Sequence, residues 1–146
     1  MKKISIISLI TIIIDRIVKV LVSIFLKLNV RYTIIKNFFY LTYCQNEGAA
    51  FSIFYGKQFF IIIISIIILS IIFYALKKKV MFTKLDYISY GLFIGGIIGN
   101  LIDRVFLNYV IDYFDFQIFN YNFAIFNIAD IAIVVSAFLL ILFQKE

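Results

Sequence analysis

The chain has 146 residues, 64% of them hydrophobic and 19% aromatic, with only 15% charged and a net charge of +6. A soluble domain of this size does not carry so much apolar sequence, so the composition predicts a small polytopic membrane protein. With no histidine, His-ligated metal sites and Ser-His or Cys-His catalysis are excluded, and the single cysteine, Cys44, allows no internal disulfide.

Four apolar segments reach bilayer-spanning length: residues 4–26, 59–76, 85–105 and 126–143. The start, Met1-Lys2-Lys3 before an apolar run, imitates a signal peptide but lacks a small-residue cleavage site, so it reads as a retained first span. Inside that span Asp15 and Lys19 stand four apart with the acid first, the favourable order for a helical ion pair. A charge pair in lipid is costly, so this one should face the bundle or the water interface, as a structural lock of helix 1 on its neighbours or, alternatively, in a direct substrate role.

Residues 27–58 leave the membrane. Their mixture of aromatic, β-branched and polar residues predicts short strands, closing at Asn46-Glu47-Gly48-Ala49-Ala50-Phe51, which by itself reads as a turn. Cys44 in this stretch has no activating histidine and reads as a small packing residue.

The second span carries no polar signal and reads as support. After it, Lys77-Lys78-Lys79-Val80-Met81-Phe82-Thr83-Lys84 packs four lysines into eight residues. Short basic loops stay inside, which predicts cytoplasmic termini; the positive charge thus reads as topology, with no nucleic-acid signal.

In the third span Gly91, Gly95 and Gly99 recur every four residues, a small-xxx-small face for close helix packing. One turn on come Asn100, Asp103 and Arg104, with Asp103 and Arg104 a candidate local pair. An aromatic connector, 106–125, follows with Asp112 inside it and a turn at Asn120-Tyr121-Asn122. The fourth span opens on Phe126-Asn127-Ile128-Ala129-Asp130, placing Asp130 in a first helical turn, where the dipole favours a carboxylate. Nothing divides the chain, so residues 1–146 read as one membrane-embedded domain.

If the protein is a hydrolase, aspartates carry the chemistry. On residues alone a peptidase and a proton-coupled transporter or channel subunit stay open, with a structural membrane protein as a third reading. A proton relay predicts carboxylates spread through membrane depth, whereas Asp103, Asp112 and Asp130 gather at one interface.

The same motifs resemble the lipoprotein signal peptidase (signal peptidase II) family. Asp15-Arg16-Ile17-Val18-Lys19 resembles its D-x-x-x-K, and Asn46 to Phe51 its N-x-G-A-A-F. Gly99-Asn100-Leu101-Ile102-Asp103-Arg104 resembles G-N-x-x-D-R. Val110-Ile111-Asp112-Tyr113 is similar to V-V-D-F with Tyr in the last place, and Phe126 to Asp130 to F-N-x-A-D. Asn108 stands where the family often has Gly, and no Pro precedes Phe126, departures that bear on loop conformation.

The resemblance implies an all-α membrane protein: four transmembrane helices with a small extracytoplasmic β-rich element between helices 1 and 2. It implies an aspartic endopeptidase that cuts diacylglyceryl-modified prolipoproteins just before the lipidated cysteine. Asp112 and Asp130 are the implied catalytic pair. Asn46, Gly48, Asn100, Asp103, Arg104 and Asn127 are implied support or substrate contacts, and Asp15 and Lys19 are structural. No metal or other cofactor is implied. The implied setting is a monomer among the lipids of a bacterial cell membrane, with its site near the outer face.

Overall fold

The computed structural model describes residues 1–48, 53–119 and 121–143, and for Phe143 the backbone alone. Ala49, Ala50 and Phe51 of the motif that begins at Asn46 lie outside the described residues, as does Asn120 of the expected turn. Four helices form: α1 (Lys2–Phe25), α2 (Gln58–Lys78), α3 (Lys84–Leu107) and α4 (Ile128–Phe143). Each lies within two residues of an apolar segment expected from sequence.

Helix α3 is the hub against which the others pack. Its N-terminus is closed by a capping box: Asp86 N–H donates to Thr83 Oγ1 at 3.1 Å, and Thr83 N–H to Asp86 Oδ2 at 2.7 Å. Lys79 joins the same carboxylate at 2.6 Å, fastening the basic connector to the helix start. The glycine stripe sets how closely α1 approaches. A Cβ on Gly95 would come within 2.8 Å of the Ser8 carbonyl oxygen, so only glycine fits there. Gly96, outside the expected stripe, faces the other way: its Cβ would lie 2.5 Å from the Ala129 carbonyl oxygen of α4. Both neighbours thus sit backbone to backbone on α3. The helix ends at Asn108 with φ 64°, a left-handed residue whose N–H bonds the Arg104 carbonyl. Asparagine tolerates that conformation, so it fills the position where the family often has Gly.

Helices α2 and α3 are long and apolar enough to cross a membrane, and α4 is a shorter apolar helix. Only Ile61, Ile72 and Leu76 of α2 are buried, so most of that helix presents hydrocarbon outward.

A four-stranded antiparallel sheet stands beside this bundle in the order β1-β2-β3-β4, formed by β1 (Arg31–Ile35), β2 (Phe39–Asn46), β3 (Val110–Ile118) and β4 (Tyr121–Asn122). Here the expectation needs correction. The β element is not confined between helices 1 and 2, because half its strands come from the connector between α3 and α4. Val110, Ile111, Asp112 and Tyr113 are all buried, so β3 lacks the apolar–polar alternation that announces a strand. Aromatic stacking draws the sheet together: Phe39 on Phe116 with centroids 4.7 Å apart, and Phe116 on Phe126 at 5.5 Å. Arg31 clasps Asp115 with two bonds of 2.7 and 2.6 Å, and Thr42 donates to the same carboxylate at 2.8 Å, tying β1, β2 and β3.

Candidate active site

The N-terminus of α4 is held from three directions. Asp130 N–H donates to Asn127 Oδ1 at 2.9 Å, and Asn127 N–H donates to Asp130 Oδ2 at 3.1 Å. The Asn-to-Asp spacing of three is therefore a reciprocal cap, which orients Asp130 through the backbone itself. The next two free N–H groups find partners from elsewhere. Ile128 N–H donates to the Tyr113 hydroxyl of β3 at 3.2 Å, and Ala129 N–H to Asp15 Oδ1 of α1 at 3.0 Å. Tyr113 thus does what a phenylalanine there could not. Sequence reading passed over that hydroxyl; the Tyr in a Phe position was its one available signal.

Strand β3 brings Asp112 to the same place. Asn46 Nδ2 donates to its Oδ2 at 2.8 Å and Asn127 Nδ2 to its Oδ1 at 2.6 Å. Asn100 Nδ2 donates to Asp130 Oδ1 at 2.7 Å, and Asn127 Nδ2 also reaches Asn100 Oδ1 at 3.2 Å. The two carboxylates are therefore linked through neutral amides. Burial, and secondly the nearby Asp130 charge, push the Asp112 carboxyl up to about 7 against the opposing pull of its amide donors. Cys44 pairs across the strands with Asp112, and burial followed by the Asp112 charge pushes its thiol up as well. A thiol so disfavoured as thiolate is a poor nucleophile.

A second cluster lies behind the amides. Lys19 Nζ is 2.8 Å from Asp15 Oδ2, 2.8 Å from Asp103 Oδ2 and 2.9 Å from Asn100 Oδ1, and Arg16 also pairs with Asp103. Lys19, Asp15 and Asp103 are all completely buried. The expected lock of helix 1 is present, and it extends further than an i,i+4 pair because Lys19 reaches α3. The expected local pair of Asp103 with Arg104 does not form. Successive helical residues point away from each other. Arg104 instead donates to the Asn100 carbonyl at 3.4 Å and the Gly48 carbonyl at 3.0 Å. Gly48 N–H in turn donates to Asn46 Oδ1 at 2.8 Å, which seats that turn over the site.

Asn46, Arg104, Asp112 and Asp130 line one cavity of about 560 Å³, whose remaining wall is hydrocarbon from Phe123, Ile125, Ile131, Val134 and their neighbours. A polar edge on an apolar chamber suits a substrate that is part peptide and part lipid. Two carboxylates so placed, one disposed to hold a proton, can act as paired acid and base.

The sequence model of a family described as signal peptidase (SPase) II matches residues 7–144. The chain is 43% identical over 146 residues to the lipoprotein signal peptidase of Halothermothrix orenii, covering 97% of this chain and 95% of that protein. Two solved structures, described as a bacterial membrane enzyme determined by the in meso method at 2.3 and 1.9 Å, are similar at 32% identity. Their TM-scores are 0.88 and 0.86, covering 100% and 99% of this chain and 94% and 96% of theirs. With a family match along almost its whole length, this chain belongs to the signal peptidase II family.

Proposed function

We propose that this protein is a membrane aspartic endopeptidase that removes the signal peptide from diacylglyceryl-modified prolipoproteins, with Asp112 and Asp130 as its catalytic pair. Family membership supports the activity. The observation that carries the assignment of the pair is their meeting at one cavity, each held by amide donors and, among the described residues, neither in an ion pair.

In this reading the ionised member takes a proton from water as the water oxygen bonds to the scissile carbonyl carbon. The protonated member donates to the carbonyl oxygen, giving a neutral tetrahedral intermediate. Collapse breaks the C–N bond as the proton gained by the first carboxylate passes to the departing amine of the lipidated cysteine. A hydroxyl of the intermediate returns a proton to the second carboxylate, leaving a carboxylic acid and the pair as it began. The pair titrates together, so neither residue owns the acid or the base role. Asn100 and Asn127 keep the carboxylates oriented. Asn46, Gly48 and Arg104 border the peptide, and Asp15, Lys19 and Asp103 hold α1, α3 and α4 together behind the site.

The same reading makes residues 1–146 one domain whose four helices all cross the bacterial cell membrane, working as a monomer among lipids. Both termini and Lys77–Lys84 then face the cytoplasm, and the cavity lies near the outer face. The exposed apolar surface of α2 and the four lysines of its following connector support this.

The test is reconstitution in lipid with a diacylglyceryl-modified prolipoprotein, read as a mobility shift on cleavage. A correctly folded protein that leaves the substrate intact would return the aspartates to the proton-relay reading.

A further inference from the structure

The far end of the sheet carries an apolar surface that catalysis does not use. Gln117 N–H donates to the Phe38 carbonyl at 2.8 Å, and Phe38 meets Phe116 edge-on at 5.5 Å, so the β1–β2 turn and the end of β3 lie side by side. Ile34, Ile35, Phe38, Ile118, Phe119 and Tyr121 are all exposed there. Phe119 is the extreme case: the residue is 100% exposed and its backbone is left-handed at φ 48°. A bulky residue pays a steric cost for that conformation, and here it gains no contact within the described protein. Lys36 is the charged residue of this end, since Asp115 nearby is buried and clasped by Arg31. Aromatic and aliphatic residues beside one cation match the boundary between headgroups and acyl chains.

We propose that this end of the sheet inserts into the outer leaflet of the bilayer that holds the helices. The occupant is set by the chemistry this end shares with the helices, whose exposed surfaces are likewise apolar, and by the pairing of hydrocarbon with exposed Lys36, a cation that suits anionic headgroups. Seven residue steps lead from Asp112 along β3 to Phe119 just past its end, a reach of roughly 23 Å at the usual rise. Anchoring both ends of β3 lays it along the membrane surface and fixes the depth at which Asp112 meets a substrate held by its own lipid.

This inference rests on the membrane-spanning reading above, and the test separates the two. The chain has no tryptophan, so single introduced tryptophans report without background. Phe119→Trp and Tyr121→Trp probe the sheet end, and Ile141→Trp probes the exposed surface of α4. Each is placed in vesicles of phosphatidylethanolamine and phosphatidylglycerol, with and without brominated acyl chains, after cleavage confirms that it is folded. The expected result is blue-shifted emission that bromine quenches at all three positions. Quenching at 141 with water-like, unquenched emission at 119 and 121 overturns the anchor, leaves the spanning helices standing and points to a soluble partner. Absence of quenching at 141 as well removes both readings.

Discussion

Asp103 and Asp112 are both nearly inaccessible, with exposures of 0% and 2%, yet their surroundings differ in kind. Asp103 meets Lys19 and Arg16, two cations that compensate an ionised carboxylate where no water can. Asp112 meets Asn46 and Asn127, which donate hydrogen bonds and bring no charge, and it faces the field of a second acid. Burial alone therefore does not determine what a carboxylate does. The charge of its partners decides whether it becomes a fixed anion or a group that exchanges a proton.

The largest effect expected from this contrast is on turnover. Asp112→Asn and Asp130→Asn each keep their shape and, at 130, keep an oxygen that can still accept from Asn127 N–H. Both should melt within a few degrees of the parent while cleavage drops by roughly a thousandfold or more, the scale of a lost acid or base. Side-by-side melting and cleavage of purified variants decide it. If Asp112→Asn cleaves normally while a folded Asp103→Asn is dead, the contrast has been drawn the wrong way round.

Next in size is the compensated cluster. Lys19→Met leaves Asp15 and Asp103 buried without their shared cation, and Asp103→Asn leaves Lys19 and Arg16 short of an anion. Each should cost about 3–5 kcal/mol, the range for breaking a buried ion pair from one side. Activity should fall with stability, because Lys19 also holds Asn100 against Asp130. Arg104 should keep its two carbonyl partners in the Asp103 variant, as it does not pair with that carboxylate. Denaturant unfolding in mild detergent measures the loss, and a Lys19→Met variant as stable as the parent would dissolve the distinction.

The third effect is a dependence on pH. Asp112 holds its proton to about 7 in the folded protein against an ordinary 3.8. Its folded pKa is the higher one, so its contribution is fully present below about 3.8 and is lost as pH rises towards 7. Melting temperature should therefore decline across that window, and Asp112→Asn should flatten the decline. An unchanged slope in the variant would assign the proton to another group.

The smallest effect is at Tyr113. Tyr113→Phe removes one acceptor at the start of α4 and should cost about 1 kcal/mol, with a few-fold loss in kcat and little change in KM. Loss of stability without any change in kcat would make the hydroxyl a simple packing bond and leave Asp130 positioned by its cap alone.

The apolar segments, their order and the residue types of the site were legible in the sequence. Helices of this hydropathy announce themselves because the apolar run persists over several turns, and Asn127 and Asp130 stand three apart, within one helical turn. Strand β3 was not legible, because its buried first half shows no alternation and only pairing with β2 makes it a strand. Nor could sequence say which base neutralises which acid. Arg104 is adjacent to Asp103 in the chain, yet Lys19 and Arg16, more than eighty residues away, are its partners. Adjacency suggested a pair that helical geometry then kept apart.

By itself, the sequence determined that the protein is a helix-rich apolar chain with a histidine-free chemistry reduced to aspartates, and it marked the motifs that hold them. Tertiary structure alone decided that Asp15 caps a helix 114 residues further on, that one asparagine spans two carboxylates, and that an apolar cavity opens beside them. The physical reason is range. Hydrophobicity and capping act over a few residues along the chain, whereas the field at a buried carboxylate is the sum over whatever packing brings within a few ångströms of it.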